Sequence, residues 1–171
     1  MKSLDLLLKK ISQQRKEDYP FPEDLESYLD KFFPNDLMKH DTLQKTFKIS
    51  INELEKIYKE AYEEYLQENY QESSFVFRWL VFFNPFISKF WFALAASLQM
   101  EKKYEKALHS YSVVAILRPD DPYSHYYAYI CYTALNNYEE ANKALELAWL
   151  KCQNNPTYEE LKDEIFMLKQ R

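Results

Sequence analysis

The stretch "KKYEKALHSYS", residues 102–112, has a counterpart on either side of it in the chain. "ENYQESSFVFR" begins at residue 68, 34 positions earlier, and "NNYEEANKALE" begins at residue 136, 34 positions later. Each phrase places a tyrosine third, then an acid or amide, then small residues a few positions on. A fixed period of this length indicates an internal repeat, with one supersecondary unit in each copy.

Composition favours a helical globular protein. The 171 residues include no glycine, and 18% of them are aromatic. Without glycine the chain lacks the usual residue for helix C-caps and for tight hairpin turns, and an all-helical chain tolerates that loss best. The net charge of −5 argues against a nucleic-acid partner, because a phosphate backbone requires a basic surface.

Local signals mark where the helices begin and end. Ser50 followed by Glu53 has the pattern of a capping box, and Thr157 followed by Glu160 repeats it. Asp121 precedes Pro122, which suits a capping carboxylate before proline at the first helical position. These signals predict helices over 51–67, 70–83, 87–100, 104–117, 122–135, 138–152 and 157–169.

A helix–turn–helix unit of 34 residues is the tetratricopeptide repeat, and the middle copy resembles its signature slot by slot. The matching residues are Trp91, Leu94, Ala95, Leu98, Ala107, Tyr111 and Pro119. The first copy matches at Ile57, Ala61, Ser73, Phe77 and Pro85, and the third at His125, Ala128, Tyr132, Ala141, Leu145 and Ala148. We therefore predict an all-α solenoid over 50–171, with repeats at 54–87, 88–121 and 122–155 and a capping helix at 157–169.

The first repeat and the turns depart from the pattern. Glu60 and Glu64 occupy positions that are usually apolar. The turn position that usually holds glycine is occupied by Glu68, Lys102 and Asn136. Asparagine tolerates the left-handed conformation, but Glu and Lys would each cost about 1–2 kcal/mol there. We therefore expect the first two turns to adopt another shape.

Aromatic residues recur on one face of the first helix of each pair. Tyr58, Tyr62 and Tyr65 form one stripe, and the positions 34 and 68 residues further on extend it. In a stacked solenoid, equivalent positions align. The stripe is predicted to line a concave, peptide-binding surface with the residues Tyr58, Tyr62, Tyr65, Phe92, Ala96, Gln99, Tyr123, Tyr126 and Ile130. Ordinary amphipathic packing is the alternative interpretation of the same residues.

Residues 50–169 resemble the class II chaperones of type III secretion, the LcrH/SycD type. The resemblance lies in the three tandem repeats, in the tyrosine ladder within "ISINELEKIYKEAYEEYLQENYQES", and in "FWFALAASLQMEKKYEKALHSYSVVAILRPDDPYSHYYAYICY". It implies a protein of the bacterial cytoplasm that keeps hydrophobic translocators in solution before export. It also implies a groove for an extended client segment of the pattern P-x-L-x-x-P and self-association through the N-terminal region. A second secretion component, such as a gatekeeper, is left open as a further partner.

The N-terminal 49 residues are predicted to form a helical extension that covers the repeats or mediates self-association. Leu4, Leu7, Leu8 and Ile11 give an amphipathic helix, and a second one begins near Pro22. The helix 70–83 is apolar almost all round. Its outward residues Val76, Trp79 and Phe83 should therefore be covered by the N-terminal segment or by a second chain. The alternative is that this patch is itself a binding surface, open in the free monomer.

No catalytic or metal-binding constellation is predicted. The three histidines are scattered, and Cys131 and Cys152 lie within predicted helices, where buried packing is expected. No cofactor, signal peptide or membrane span is expected either. One alternative function is a co-chaperone adaptor that clamps a C-terminal carboxylate. This needs a cationic groove, but Lys89 is the one cation predicted to lie beside the aromatic stripe. A purely structural assembly module is a third possibility.

Overall fold

The computed structural model describes residues 2–14, 42–153 and 155–170, and within these ranges it is helical and has no strand. The α-helices are α1 Lys2–Gln14, α2 Leu43–Thr46, α3 Ile51–Leu66, α4 Tyr70–Phe83, α5 Ser88–Met100, α6 Tyr104–Leu117, α7 Tyr123–Ala134, α8 Tyr138–Cys152 and α9 Glu159–Lys169. A short 3-10 helix, Pro156–Tyr158, precedes α9. The all-α prediction is confirmed, and the predicted helix limits agree within two residues. The predicted helix near Pro22 lies outside the described residues.

The chain divides into two compact units, residues 1–90 and 91–171. In the first, α3 packs against α4, α1 against α3, and α2 against α4. In the second, α7 packs against both α6 and α8, and α9 packs against α8. Helix α5 begins in the first unit and continues into the second.

Residues in the repeat positions fill the core. All seven named positions of the middle copy except the turn residue Pro119 are buried, and Ala95 and Ala107 are completely inaccessible to solvent. The named helical positions of the first copy and of α8 are also buried. Small side chains at these places let two helices approach closely, while larger neighbours fill the remaining space. In α7 the pattern is weaker, because His125, Ala128 and Tyr132 are only half-buried.

The turn within each helix pair has the same shape in all three copies. Glu68, Lys102 and Asn136 have φ values of 64°, 62° and 59°, which is the left-handed region. After each of them the chain closes the helix with a backbone hydrogen bond, as from the Lys103 amide to the Leu98 carbonyl at 2.9 Å. This six-to-one bond is the Schellman C-cap. The expectation that Glu68 and Lys102 would adopt another shape is therefore wrong: closing the helix ends outweighs the local strain.

The predicted helix starts are confirmed in two cases and corrected in one. Ser50 and Glu53 form the reciprocal capping box. The carboxylate of Asp121 accepts a hydrogen bond from the Tyr123 amide at 3.0 Å, as a cap should. The box predicted at Thr157 is absent, because the chain first forms the 3-10 turn, which Asn155 caps by accepting from the Thr157 amide.

Helix α1 is held to α3 by the acidic residues that depart from the repeat pattern. The Glu60 carboxylate accepts hydrogen bonds from the backbone amide and the hydroxyl of Ser3, so it caps the first turn of α1. Lys10 pairs with Glu53 at 2.7 Å. Leu4 and Leu7 of α1 are buried. At 3.6 residues per turn, Glu53 and Glu60 lie on nearly the opposite side of α3 from the tyrosine stripe, so α1 leaves that stripe uncovered.

Much of the expected apolar patch on α4 is buried within this single chain. Val76 is 1% exposed and Phe83 is fully buried, while Trp79 is half-buried against Phe82 and Phe83. Helix α2 packs against α4, and Gln44 accepts a hydrogen bond from Asn84 just beyond the end of α4. The segment before Ser50 therefore contacts the end of α4, and cover of the three outward residues by that segment stays a prediction. Phe75 of α4 remains 48% exposed.

Replacing Lys102 by glycine should stabilise the protein, because glycine adopts the left-handed conformation without strain. The gain expected is about 0.5–1 kcal/mol, since the relief of 1–2 kcal/mol is partly offset by the greater freedom of the unfolded chain. Urea unfolding measures it. Lys103→Gly is the matched control, because residue 103 has an ordinary negative φ and should gain nothing.

Replacing Ala95 by leucine should destabilise the protein by about 1–3 kcal/mol, because the site has no room for a larger side chain. Ala134→Leu, at an exposed position late in α7, is the control and should be nearly neutral. Thermal and urea melts of both variants test the pattern of small residues. Coinciding melts of Ala95→Leu and the parent would show that this position is not a close-packed one.

The attachment of α1 should weaken in acid. The hydrogen bond from Lys10, with those from Ser50, lowers the pKa of Glu53 from 4.5 to about 2. Burial works against the lowered pKa of Glu60, but the two hydrogen bonds from Ser3 outweigh it. A depressed carboxyl pKa stabilises the folded state above about pH 4.5, and this contribution disappears as the pH falls towards 2.

Glu53→Gln should remove this contribution while preserving a capping-box residue. The expected loss at pH 7 is about 0.2–1 kcal/mol, the range for an exposed pair. Amide hydrogen exchange of α1, followed from pH 7 down to pH 3, should show a smaller pH dependence in the variant. An unchanged pH dependence would mean that Glu53 does not couple α1 to α3.

Candidate functional site

Most of the predicted site residues fall into two groups, one in each compact unit. The first unit carries the tyrosine ladder, Tyr58, Tyr62, Tyr65 and Tyr70. The second unit carries the aromatic cluster, which contains Phe92, Tyr111, Tyr123 and Tyr127 together with Gln99.

The tyrosine ladder is a series of near-parallel rings along α3. The ring centroids of Tyr58 and Tyr62 lie 6.2 Å apart, and those of Tyr62 and Tyr65 lie 6.1 Å apart, with interplanar angles of 7° and 11°. The edge contact between Tyr65 and Tyr70 of α4, at 5.3 Å, ends the series. Tyr62 is 44% exposed, so the middle of the ladder faces solvent. Rings fixed in this way present apolar faces that need no rearrangement to receive a partner.

Tyr58 joins the ladder to the core of the first unit. Its ring packs on Phe77 at 5.5 Å and on Phe90 at 5.9 Å. Burial raises the pKa of the Tyr58 hydroxyl, and the neighbouring Tyr62 and Glu55 raise it further. The hydroxyl therefore stays neutral at physiological pH. Packing on the core keeps this end of the ladder in one position.

The cation predicted beside the stripe is already neutralised. The Lys89 ammonium donates to both carboxylate oxygens of Glu55 and lies 4.7 Å from the centroid of the Tyr58 ring. An ammonium that is held by a carboxylate and an aromatic face is poorly placed to bind the carboxylate of a peptide. This arrangement disfavours the adaptor that clamps a C-terminal carboxylate.

The aromatic cluster of the second unit joins α5, α6 and α7. Phe92 meets the ring of Tyr111 at 5.7 Å and that of Tyr127 at 5.5 Å, both edge to face. Tyr111 and Tyr127 stack on each other at 5.6 Å, with an interplanar angle of 10°. Tyr127 also stacks on Tyr123 at 6.4 Å, and Tyr123 is 38% exposed. The cluster thus runs from buried Tyr111 to a solvent-facing edge at Tyr123.

Gln99 lies two turns after Phe92 on the same side of α5. Its side-chain oxygen accepts a hydrogen bond from the Tyr111 hydroxyl at 2.9 Å and another from the Cys131 thiol at 3.6 Å. Ala96, which lies between Phe92 and Gln99 on α5, is half-buried. Burial raises the pKa of Cys131 to about 12, so the thiol keeps its proton and can donate. The Gln99 amide is therefore fixed in orientation.

Tyr126 occupies a different place from the one that the 34-residue offset predicts. It is 9% exposed and belongs to a core cluster that also holds Leu145, Leu161 and Ile165, with Ile130 packed beside it. Its hydroxyl donates to Glu164 of α9, and burial together with Glu164 raises its pKa. Tyr158 covers one edge of Tyr123 at 5.9 Å. The C-terminal helix therefore packs on the face of α7 that was assigned to the groove.

Sequence reasoning missed Tyr127 and Tyr111 as members of the aromatic cluster. The repeat pattern had assigned Tyr111 to packing, which it also performs, since it is 2% exposed. Tyr127 directly follows Tyr126, and adjacent residues lie about 100° apart round a helix, so a rotation of α7 by about that angle about its own axis exchanges the two. A signal was present, because Tyr123 and Tyr127 are four residues apart and share a helix face.

Burial keeps the proton on the Tyr58 hydroxyl of the first group and on the Cys131 thiol beside the second. Burial raises the pKa of the Tyr58, Tyr126 and Tyr127 hydroxyls, and both cysteines are buried. Within the described residues, no cluster of histidine, cysteine and acidic side chains could hold a metal ion. Nor does that part of the chain contain a helix with the length and hydrophobicity needed to span a bilayer. Both sites offer apolar surface with a few oriented polar groups, which is what a peptide-binding surface requires.

Comparison with known proteins places this arrangement in a class. Residues 88–121 match the family model of the tetratricopeptide repeat. A chain in the CopN–Scc3 complex is 58% identical and has a TM-score of 0.93, with 98% of this chain and 99% of that one covered. The type III secretion chaperone SycD of Yersinia enterocolitica, solved with a peptide of the translocator YopD, is 29% identical with a TM-score of 0.66. That comparison covers 72% of this chain and 98% of SycD.

The sequence of a curated relative is also similar to this chain. Low calcium response locus protein H of Yersinia pseudotuberculosis is 29% identical over 124 residues, which are 72% of this chain and 74% of that protein. The fold is thus that of a tetratricopeptide-repeat protein, as the repeat phrases predicted. The chain belongs to the class II chaperones of type III secretion, the LcrH/SycD type. The fold and the family are those of non-catalytic chaperones and adaptors.

Proposed function

We propose that the protein is a cytoplasmic secretion chaperone that binds an extended segment of a hydrophobic translocator and keeps the translocator in solution until export. The main support for this proposal is the pair of ordered aromatic surfaces, the tyrosine ladder and the aromatic cluster around Tyr127. A segment lying on either surface would bury apolar side chains against rings that are already in place. Its affinity benefits because the rings lose little freedom on binding. Chaperoning requires no chemistry at the site, and we propose none.

The family supports the nature of the client. The SycD relative was solved with a peptide of a translocator, and this chain shares its fold. A translocator segment in extended form offers apolar side chains at intervals and an unpaired backbone between them. The pattern P-x-L-x-x-P, implied by the family resemblance, supplies such side chains with a backbone that proline already restricts. Bound protein is withdrawn from aggregation by mass action.

A second partner is a protein of the CopN type. The chain in the CopN–Scc3 complex shares 58% identity with this chain over almost the whole of both. Identity at that level over the whole chain supports a shared partner, so we propose a complex with an export component of that kind, in the role expected of a gatekeeper. Self-association through the N-terminal region remains a further proposal. The assignment of repeats to 54–87, 88–121 and 122–155 is likewise a proposal.

Replacing Tyr62 and Phe92 together by alanine should abolish most client binding without unfolding the protein. Each aromatic contact at a binding hot spot contributes about 2 kcal/mol or more, which is roughly thirty-fold in affinity. The measurement is fluorescence anisotropy of a labelled synthetic peptide with the pattern P-x-L-x-x-P. Circular dichroism confirms folding. Unchanged affinity in the folded double variant would remove the aromatic surfaces from the proposal.

A matched control uses aromatic residues that are exposed elsewhere. Tyr138 of α8 is 60% exposed and Phe166 of α9 is 49% exposed, and both lie outside the ladder and the aromatic cluster. The double variant Tyr138→Ala and Phe166→Ala should keep the affinity of the parent. Co-expression with a hydrophobic translocator provides a second readout: the parent and the control should keep it soluble, whereas Tyr62→Ala with Phe92→Ala should not.

A further inference from the structure

The aromatic cluster contains one polar side chain whose orientation is set on both sides. The oxygen of Gln99 accepts from the Tyr111 hydroxyl and from the Cys131 thiol, and both of those side chains are buried. An amide that uses its oxygen twice in this way must turn its nitrogen to the other side. With the amide turned round, the Tyr111 hydroxyl and the Cys131 sulfur would have to accept instead of donate, and a thiol sulfur is only a weak acceptor.

The nitrogen of Gln99 is available to a partner. Within the described residues it donates no hydrogen bond, and it is not among the buried polar atoms that lack one. The side chain as a whole is half-buried on the same helix face as Phe92. An ordered N–H donor therefore stands beside apolar rings, where water is the competing partner.

A peptide bound on such rings has a need that the rings cannot meet. Aromatic faces receive its side chains but leave its backbone carbonyls without donors. Burying a carbonyl without a hydrogen bond costs about 1–3 kcal/mol. A donor that is already oriented offsets that cost with little loss of side-chain freedom. A donor that must first be oriented offsets less of this cost, because its side chain loses freedom on binding.

We propose that Gln99 is a specificity-determining residue whose side-chain N–H donates to a backbone carbonyl of the bound segment and thereby fixes its register on the aromatic cluster. This rests on the proposed function, since it names a contact within that binding surface. Tyr111 and Cys131 act through Gln99 as positioning residues. The bound segment is read at this point by its backbone, while the rings read its side chains.

Three variants separate the donor from the rest of the side chain. Gln99→Glu keeps an oxygen for Tyr111 and Cys131 but removes the N–H groups. Gln99→Met removes both functions without adding charge. Tyr111→Phe keeps the ring and removes the hydroxyl that orients the amide. The control for added charge is Gln71→Glu, at an exposed position on α4.

The probe is the same labelled peptide with the pattern P-x-L-x-x-P, titrated by anisotropy. Both Gln99 variants should weaken binding about three- to ten-fold, the range for one neutral hydrogen bond. Tyr111→Phe should weaken it less, and Gln71→Glu should leave it unchanged. Folded Gln99 variants that bind as tightly as the parent would overturn the role of Gln99 and leave the proposed function standing. A parent that does not bind the peptide overturns both.

A backbone readout distinguishes donation from simple packing. Peptides are made in which one amide at a time is replaced by an ester, whose carbonyl is a weaker acceptor. One position should weaken binding to the parent and have no further effect on Gln99→Met. If every ester weakens both proteins equally, Gln99 does not donate to the backbone. The ester series on the parent alone decides the matter if a variant fails to fold, because a series without any sensitive position contradicts the proposal.

Discussion

Each helix pair in this chain depends on one residue in the left-handed conformation. Glu68, Lys102 and Asn136 stand 34 residues apart with nearly equal φ values, and each is followed by the bond that closes its first helix. The turn fixes where the second helix starts, and that start fixes which small residues meet between the helices. This chain has no glycine and is strained at two of these turns. The strain persists because packing of the helices stabilises the fold by more free energy than the strained turns cost.

Most of the fold could be predicted from the sequence because the repeat imposes its own register. Once Trp91, Ala95 and Ala107 are matched, buried positions in the first copy follow by counting, and Ile57 and Phe77 are buried as expected. Counting fails where a hydrogen bond outside the repeat pattern decides the structure. Asn155 caps a 3-10 turn ahead of the predicted start of α9, and Glu60 caps a helix that is remote in sequence. Neither partner is visible from spacing alone.

The candidate site was less predictable than the fold. The ladder on α3 follows from helix periodicity, since Tyr58, Tyr62 and Tyr65 need only one helix to align. The cluster in the second unit depends on how α7 is rotated about its axis, and α7 turns Tyr126 towards Glu164 of α9 and into a core cluster. A period carried over from one repeat to the next contains no information about a helix that follows the last repeat.

Both native thiols are sequestered, and this has a practical consequence. Cys131 and Cys152 are buried, and burial raises the pKa of each, so thiolate, the reactive form, is scarce. A single cysteine introduced at exposed Leu6 would then be modified selectively by a maleimide dye with no prior removal of the native ones. Helix α1 packs against α3 away from the tyrosine stripe, so a dye there would sit apart from the ladder. The natural chain can therefore be labelled at one site without first replacing its own cysteines, a step that single-site spectroscopy normally requires.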